Sequence, residues 1–267
     1  MEKITVNDAQ FATEQQGYGN ALVFLHAGVA DRRMWQPQMD AFGKDFQLIA
    51  YDRREFGETE SADIPFSHVA DLQALLDHFS ISAAHLVGCS QGGRIAIDFA
   101  LSFPERVKSL TLIAPAVSGA PKPESFPDEV GARLDALDEA DEADDLEQVN
   151  KIEAQIWLDG ALGKIGRIDG NLRELFLKMN GNALQMPEMT QEVEPASAYE
   201  RVAELSQSTL IIWGDLDFPH VQERCRHLAA TIPNARAIEI QEAAHLVSLE
   251  KFEDVNLLLR NFLSSLR

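Results

Sequence analysis

The pentapeptide Gly88-Cys89-Ser90-Gln91-Gly92 places a serine between two glycines, each two residues away. It follows an apolar run that ends at Val87 and precedes a segment with helical periodicity. This order predicts a sharp strand-to-helix turn that holds the serine hydroxyl out of the sheet, at the N-terminus of a helix. Negative charge developing there would meet unpaired backbone N–H groups and the positive end of the helix dipole. Ser90 is therefore a candidate nucleophile.

A hydrolytic serine needs a general base, a group that orients this base, and donors for an oxyanion. Of the seven histidines, His245 lies in a loop between the last apolar run and the final amphipathic segment. That loop belongs to the same predicted sheet edge as Ser90. Asp215 and Asp217 also follow a strand that ends at this edge. Because Asp217 lies further along the loop and would reach further over the site, we predict that it orients His245.

Short apolar runs alternate along the chain with longer amphipathic segments. This alternation predicts an α/β fold with a mostly parallel central sheet flanked by helices. The predicted core strands are residues 21–25, 47–51, 84–88, 109–114, 209–213 and 235–240. The predicted helices are residues 34–42, 67–79, 92–103 and 221–231, followed by a final amphipathic helix that starts near Leu249. Residues near Ile4 and Phe11 are expected to form an antiparallel hairpin at one edge.

The alternation stops between about residues 117 and 203, where prolines and an acidic run at 138–147 appear without a strand-like run. We predict that residues 118–203 form a helical cap inserted before the last two core strands, with helices near 152–158 and 172–179. Residues 1–117 and 204–267 would then make the two parts of the core domain. The cap would cover the carboxyl edge of the sheet, where open α/β folds bind ligands.

Composition excludes several classes of partner. The net charge of −20 disfavours nucleic acids and anionic membranes. No apolar run approaches the roughly 18 residues of a membrane span. Cys89 and Cys225 are far apart and show no clustering with histidines, so neither a disulfide nor a zinc site is expected. We predict a cytoplasmic protein with a small-molecule substrate, no metal and no organic cofactor, and a homodimer is left open.

Five motifs make the chain resemble the α/β-hydrolase superfamily over essentially its full length. In chain order they are His26-Ala27-Gly28, Asp52-Arg53-Arg54-Glu55-Phe56-Gly57, the turn around Ser90, Trp213-Gly214-Asp215-Leu216-Asp217, and Ala244-His245. The order of serine, aspartate and histidine is the one that this fold uses.

The resemblance implies a role for each matching residue. Ser90 would be the nucleophile, His245 the general base and then the acid, and Asp217 the group that holds the imidazole tautomer. The oxyanion hole would use the backbone N–H groups of Gly28 and Gln91. No metal or organic cofactor is implied.

The chain departs from the family at two positions in these motifs. Ala27 and Glu55 stand where most members have glycine, and both changes are expected to alter loop geometry without removing a reacting group. His26 is expected to hold its loop rather than to act in catalysis. Haloalkane dehalogenases and epoxide hydrolases of the fold use a carboxylate where Ser90 stands, which argues against those two activities.

The leading hypothesis is hydrolysis of a small to medium, mostly apolar carboxylic ester or lactone. Val29, Trp157 and Phe218 are the predicted substrate contacts. Three cap cations would suit a substrate carboxylate of the kind that an enol-lactonase binds, namely Lys164, Arg167 and Arg173. Two activities on the same triad stay open, C–C bond hydrolysis of a ring-cleavage product and cofactor-free perhydrolysis, scored as haloperoxidase activity. A different class is a signalling protein of this fold that senses a small molecule.

Overall fold

The computed structural model describes residues 1–266. A nine-stranded sheet runs through this part of the chain, in the order β1-β2-β4-β3-β6-β7-β8-β9, with β5 paired beside β2. Its strands are β1 (Glu2–Val6), β2 (Ala9–Gln16), β3 (Ala21–Leu25), β4 (Gln47–Tyr51), β5 (Glu60–Ser61), β6 (Ala84–Cys89), β7 (Val107–Ile113), β8 (Ser208–Gly214) and β9 (Ala235–Ile240).

The six strands from β3 to β9 that form the centre of the sheet pair in parallel. The hairpin β1–β2 adds antiparallel strands at one edge, and β2 joins it to β4. Every residue of β3 and β6 is buried, since helices cover both faces of the central strands. The predicted fold class is therefore confirmed, and the predicted core strands match the observed ones to within two residues.

Helices flank the sheet and supply its two apolar layers. The core helices are α1 (Gln36–Phe42), α2 (His68–His78) and α3 (Gln91–Ser102). Three further helices, α4 (Asp128–Glu142), α5 (Leu146–Glu153) and α6 (Asn171–Ala183), lie between β7 and β8, and the last three are α7 (Pro219–Thr231), α8 (Val247–Glu250) and α9 (Phe252–Ser264). No helix within residues 1–266 combines the length and the apolar character needed to cross a lipid bilayer.

The segment between β7 and β8 is helical, as the missing strand pattern predicts, but its helices are longer than expected. The acidic run at 138–147 covers the end of α4, a turn, and the start of α5. The expected helix at 152–158 is the end of α5 followed by a π-helical turn, Ala154–Leu158. Residues 118–203 thus contain α4, α5 and α6, and their division from the core as a cap stays a prediction.

Gly92 makes the sharp turn between β6 and α3 possible. A Cβ at this position would lie 2.1 Å from the carbonyl oxygen of Leu25 on the neighbouring strand, and backbone cannot yield there as a flexible side chain can. We expect Gly92→Ala to lower the free energy of unfolding by about 3 kcal/mol, measured by urea denaturation. Gly131 lies in α4 with no atom within 4 Å of a built Cβ. The matched change Gly131→Ala should instead raise stability by about 0.5–1 kcal/mol, and equal effects of the two changes would contradict this account.

Candidate active site

Ser90 occupies a strained turn between β6 and α3. Its φ is 52° and its ψ is −116°, in the left-handed region that side chains rarely adopt. Backbone hydrogen bonds hold the turn: the N–H of Ser90 donates to the carbonyl of Ile113 at 2.9 Å, and the N–H of Ala116 donates to the carbonyl of Ser90 at 2.9 Å. Both bonds tie the turn to the end of β7. The strain is thus maintained by the sheet itself.

His245 and Asp217 meet at the carboxyl ends of β8 and β9. The imidazole Nδ1 lies 2.7 Å from Oδ2 of Asp217, and both side chains are buried. The other oxygen, Oδ1, accepts from the N–H of Phe218 at 2.7 Å, so the carboxylate is held at both ends. Because a carboxylate only accepts hydrogen bonds, Nδ1 carries the proton. The lone pair of Nε2 is then free to take a proton from a nucleophile.

Asp215, the other candidate carboxylate, points to a different partner. Its Oδ1 accepts a hydrogen bond from the N–H of Ala243 at 3.3 Å, and its carbonyl accepts from the Gln222 side chain at 2.9 Å. Asp217 is therefore the carboxylate that contacts His245. Asp215 supports the loop before the histidine.

The serine turn and the histidine loop lie side by side. The Cys89 thiol donates to the carbonyl of His245 at 3.9 Å, which joins the residue before Ser90 to the base. Within residues 1–266, no direct hydrogen bond links Ser90 Oγ to the imidazole, and in free enzymes such bonds often form only with substrate. Burial raises the pKa of the Cys89 thiol. The thiol is therefore neutral and unsuited to act as the nucleophile.

The two backbone amides predicted as oxyanion donors, those of Gln91 and Gly28, have no acceptor within residues 1–266. Gln91 is the first residue of α3, so its N–H has no acceptor within the helix. The N–H of Gly28, in the loop after β3, makes no hydrogen bond within residues 1–266. A Cβ at Gly28 would lie 2.9 Å from Cδ of Gln91, so the Gln91 side chain covers the glycine directly.

His26 connects the loop after β3 to the loop after β4. It is fully buried; its Nδ1 donates to the carbonyl of Ala27 at 2.7 Å, and its Nε2 accepts from the N–H of Arg53 at 2.9 Å. Burial, together with the Arg53 charge, holds the pKa of His26 well below its usual value. The ring is neutral, and both nitrogens are used. It therefore braces the loop that carries Gly28.

Glu55, one of the two departures from the family, gives its loop a new contact. Its φ is 71°, a conformation that a glycine would adopt without strain. Its carboxylate accepts a hydrogen bond from the N–H of Met189, in the segment that returns from α6 to the core. The side chain that a glycine lacks thus anchors this return segment.

Aromatic rings from the π-helical turn and from the loop after β8 cover the histidine. The Trp157 ring lies 4.7 Å from the His245 ring, measured between centroids, and the Phe218 ring lies 5.1 Å from Trp157. Both predicted substrate contacts therefore lie beside the catalytic candidates. Val29, the third, directly follows Gly28 and is partly buried against the apolar layer under the site.

The loop after the π-helical turn is bonded to the loops that carry Asp217 and His245. The N–H of Leu162 donates to the carbonyl of Leu216 at 3.0 Å. Arg167 lies 2.7 Å from the buried carboxylate of Glu250, and that carboxylate accepts the N–H of Ala244, next to the histidine. No sequence pattern indicates this link, because Arg167 and Glu250 are far apart along the chain.

Two of the three cations predicted to suit a substrate carboxylate form ion pairs with carboxylates of the chain itself. Arg167 is paired with Glu250, and Arg173 lies 2.5 Å from the buried carboxylate of Asp159. Lys164 is exposed. Since carboxylates of the chain itself already occupy the two arginines, these positions do not form a free anion site. Among residues 1–266, no group of three or more His, Cys, Asp or Glu side chains is placed to bind a metal ion.

The chain is similar to known hydrolases and to a putative bromoperoxidase over most of its length. A family model for the alpha/beta hydrolase fold matches residues 20–252. The chain is 25% identical over 280 residues to 2-hydroxy-6-oxo-6-phenylhexa-2,4-dienoate hydrolase from Burkholderia cepacia, covering 98% of this chain and 92% of that protein. It is 26% identical over 280 residues to the putative non-heme bromoperoxidase BpoC from Mycobacterium tuberculosis, covering 96% and 98%.

Two further matches differ in what they cover. The chain spans only 64% of the length of the dihydrolipoyllysine-residue acetyltransferase component of the acetoin cleaving system from Cupriavidus necator, with 24% identity over 257 residues and 92% of this chain covered. Among solved structures, a thermophilic esterase from Thermogutta terrifontis superposes with a TM-score of 0.75 at 23% identity, covering 100% of this chain and 99% of the esterase. At that identity the match shows the fold.

Proposed function

Because the chain belongs to the α/β-hydrolase family, we propose that it is a serine hydrolase that cleaves a small to medium, mostly apolar carboxylic ester or lactone through an acyl-enzyme on Ser90. The observation that carries the proposal is the buried His245–Asp217 pair at 2.7 Å, beside a serine in a strained turn. These groups come from separate loops at one edge of the sheet, in the order Ser, Asp, His.

The reaction follows from the position of each group. His245 Nε2 takes the proton of Ser90 as Oγ attacks the carbonyl carbon, and the oxyanion is stabilised by the N–H groups of Gly28 and Gln91. The imidazolium, stabilised by Asp217, then donates its proton to the leaving alkoxide as the C–O bond breaks. A water molecule, deprotonated by His245, attacks the acyl-enzyme and releases the acid in the same way.

The surroundings of the site support a largely apolar substrate of modest size. A cavity of about 240 Å³ lies against Gly28, and Phe56, Leu184 and Met186 contribute its apolar wall. Trp157 and Phe218 provide further apolar surface over the histidine. The same cavity is also lined by carboxylates, Glu55, Glu153 and Glu188. These carboxylates would repel an acidic group of the substrate from the cavity beside Gly28.

C–C bond hydrolysis is the second candidate, since a dienoate hydrolase matches nearly the whole chain. Perhydrolysis is a third, supported by the match to the putative bromoperoxidase. Both would use the same serine, histidine and aspartate. A signalling role would require slow, single-turnover chemistry. The acidic run at residues 138–147 is the surface that such a role would use.

Stopped-flow hydrolysis of p-nitrophenyl esters of graded acyl length tests the proposal. We expect multiple turnovers, with a burst of p-nitrophenol close to one equivalent per active site where deacylation is slow. Lactones, a dienoic diketo acid, and peroxide with halide are assayed in parallel at matched enzyme concentration. Turnover of the diketo acid with no ester or lactone hydrolysis would replace the proposal by C–C hydrolysis, and a single turnover on every substrate would favour sensing.

A further inference from the structure

A second cavity, of about 520 Å³, lies between helix α7 and the loop that follows β7. Residues 120–126 form one side, and Tyr199 with one face of α7 forms the other. Five residues of α7 line the cavity, and their spacings of one, three and four residues place them on one side of the helix: Pro219, His220, Glu223, Arg224 and His227. None of them belongs to the catalytic groups described above.

The two imidazoles of this cavity lack hydrogen-bond partners within the part of the chain that the structure describes. Within residues 1–266, neither imidazole makes a hydrogen bond, and His220 Nδ1 and His227 Nε2 are buried without one. Arg224 forms no ion pair in this part of the chain; its one hydrogen bond is to the carbonyl of Pro115 at 3.2 Å. Burial is the main cause that lowers the pKa of both Arg224 and His220. A partly buried guanidinium without an ion pair therefore lies beside two imidazoles that have no hydrogen-bond partner.

The backbone adds to the positive character of this end. Helix α7 begins at Pro219, which lines the cavity, so the positive dipole end of the helix lies there. Lys122 also lines the cavity. The two carboxylates of the lining, Glu124 and Glu223, are exposed to solvent as Lys122 is, so water screens all three of these charges.

Aromatic rings form the rest of the wall and connect the cavity to the catalytic centre. Tyr199 stacks on His227 with ring centroids 4.6 Å apart, and Phe126 lies 5.7 Å from His220. Phe126 also lies 5.8 Å from Phe218, which contacts the Trp157 ring that covers the catalytic histidine. Successive ring contacts thus run from this cavity to the His245 ring.

We propose that this cavity binds a small organic carboxylate with a flat apolar body, with the Arg224 guanidinium and the His220 imidazole as its polar receptors. Arg224 offers a planar fork that matches two carboxylate oxygens, and the flanking rings suit a flat apolar group. The carboxylate belongs either to the acid part of the substrate or to a separate acid that binds beside the site. The assignment of the carboxylate to the substrate rests on the proposed function, whereas the binding of a carboxylate in this cavity does not.

The charges of the two cavities agree with this assignment. The cavity at Gly28 carries three carboxylates, whereas the enclosed groups of the α7 cavity are a guanidinium and two imidazoles. A substrate with one anionic end would therefore be oriented with that end toward α7. The apolar end would lie toward Gly28.

Benzoate is the probe for binding, with isothermal titration calorimetry as the readout. We expect benzoate to bind the parent protein, Arg224→Gln to weaken binding about tenfold to a hundredfold, and the neutral analogue benzamide to bind more weakly than benzoate. Glu223→Gln, on the neighbouring residue of the same helix, is the matched control and should bind benzoate as well as or better than the parent. Equal dissociation constants for the parent and Arg224→Gln, or no binding by the parent, would overturn the proposal.

Ester kinetics separate the two sources of the carboxylate. If it belongs to the substrate, Arg224→Gln should lower the preference for mono-p-nitrophenyl glutarate over p-nitrophenyl butyrate about tenfold, as a ratio of kcat/KM. If it belongs to a separate acid, this ratio should stay constant while benzoate alters butyrate hydrolysis in the parent and not in Arg224→Gln. If the parent hydrolyses neither ester, the proposed function fails, and the benzoate titration still decides whether the cavity binds an anion.

Discussion

Replacing Ser90 with alanine is expected to lower kcat for ester hydrolysis by a factor on the order of 10⁴–10⁶. The change removes the proposed nucleophile but leaves the Asp217–His245 pair and the two proposed oxyanion donors, the amides of Gly28 and Gln91, in place. A residual rate above the uncatalysed reaction is expected from these remaining groups. The first measurement is steady-state hydrolysis of p-nitrophenyl butyrate. The second is covalent labelling with a phosphonate ester, in which the mass of the intact protein gives the number of labels per chain.

Cys89→Ala is the control for this experiment, because it changes the adjacent residue of the same turn. The Cys89 thiol is buried and neutral, so its loss should leave kcat within about threefold and should leave phosphonate labelling intact. A Ser90→Ala protein that hydrolyses the ester at the parent rate, or that still takes one equivalent of phosphonate, would rule out Ser90 as the nucleophile.

Asp217→Asn is expected to lower kcat by about 10⁴, with a smaller effect on KM. The carboxylate Oδ2 now accepts the Nδ1 proton of His245 at 2.7 Å. An amide NH₂ in that place would donate instead and would favour the tautomer with its proton on Nε2. That tautomer cannot accept the serine proton, although the side-chain volume is nearly unchanged.

Asp215→Asn supplies the matched change in the same loop. Asp215 Oδ1 accepts from the N–H of Ala243, a role that the amide oxygen of asparagine can keep. We expect this variant to retain kcat within about threefold. Similar losses in the two variants would mean that the loop, rather than the carboxylate–imidazole contact, determines the rate, and the proposed role of Asp217 would be abandoned.

The sequence was most informative where local pattern determines structure. Buried parallel strands appear as continuous apolar runs, so β3, β6 and β8 could be located from their residues alone. The turn at Ser90 was predictable because Gly88 and Gly92 are the residues that such close backbone contacts require. Since parallel strands end at one sheet edge, the meeting of Asp217 with His245 could be predicted too, and their catalytic roles stay predictions.

Contacts that depend on tertiary packing could not be predicted in this way. No pattern in residues 154–158 predicts a π-helical turn, yet Trp157, in that turn, contacts the His245 ring. The cations of the cap were likewise ambiguous from sequence, because pairing of Arg167 with Glu250 depends on how two distant loops pack. The histidines of α7 carry a helical spacing, but only packing against residues 120–126 makes that face enclose a cavity.

The ion pair between Arg167 and Glu250 has a consequence for protein engineering. Glu250 also holds the amide of Ala244, so a residue of the helical segment is coupled through one carboxylate to the histidine loop. A chimera that receives this segment from another family member without an equivalent arginine would leave a buried carboxylate without its cation. Such a graft would disturb the loop that carries His245, so the helical segment cannot be exchanged independently of the core.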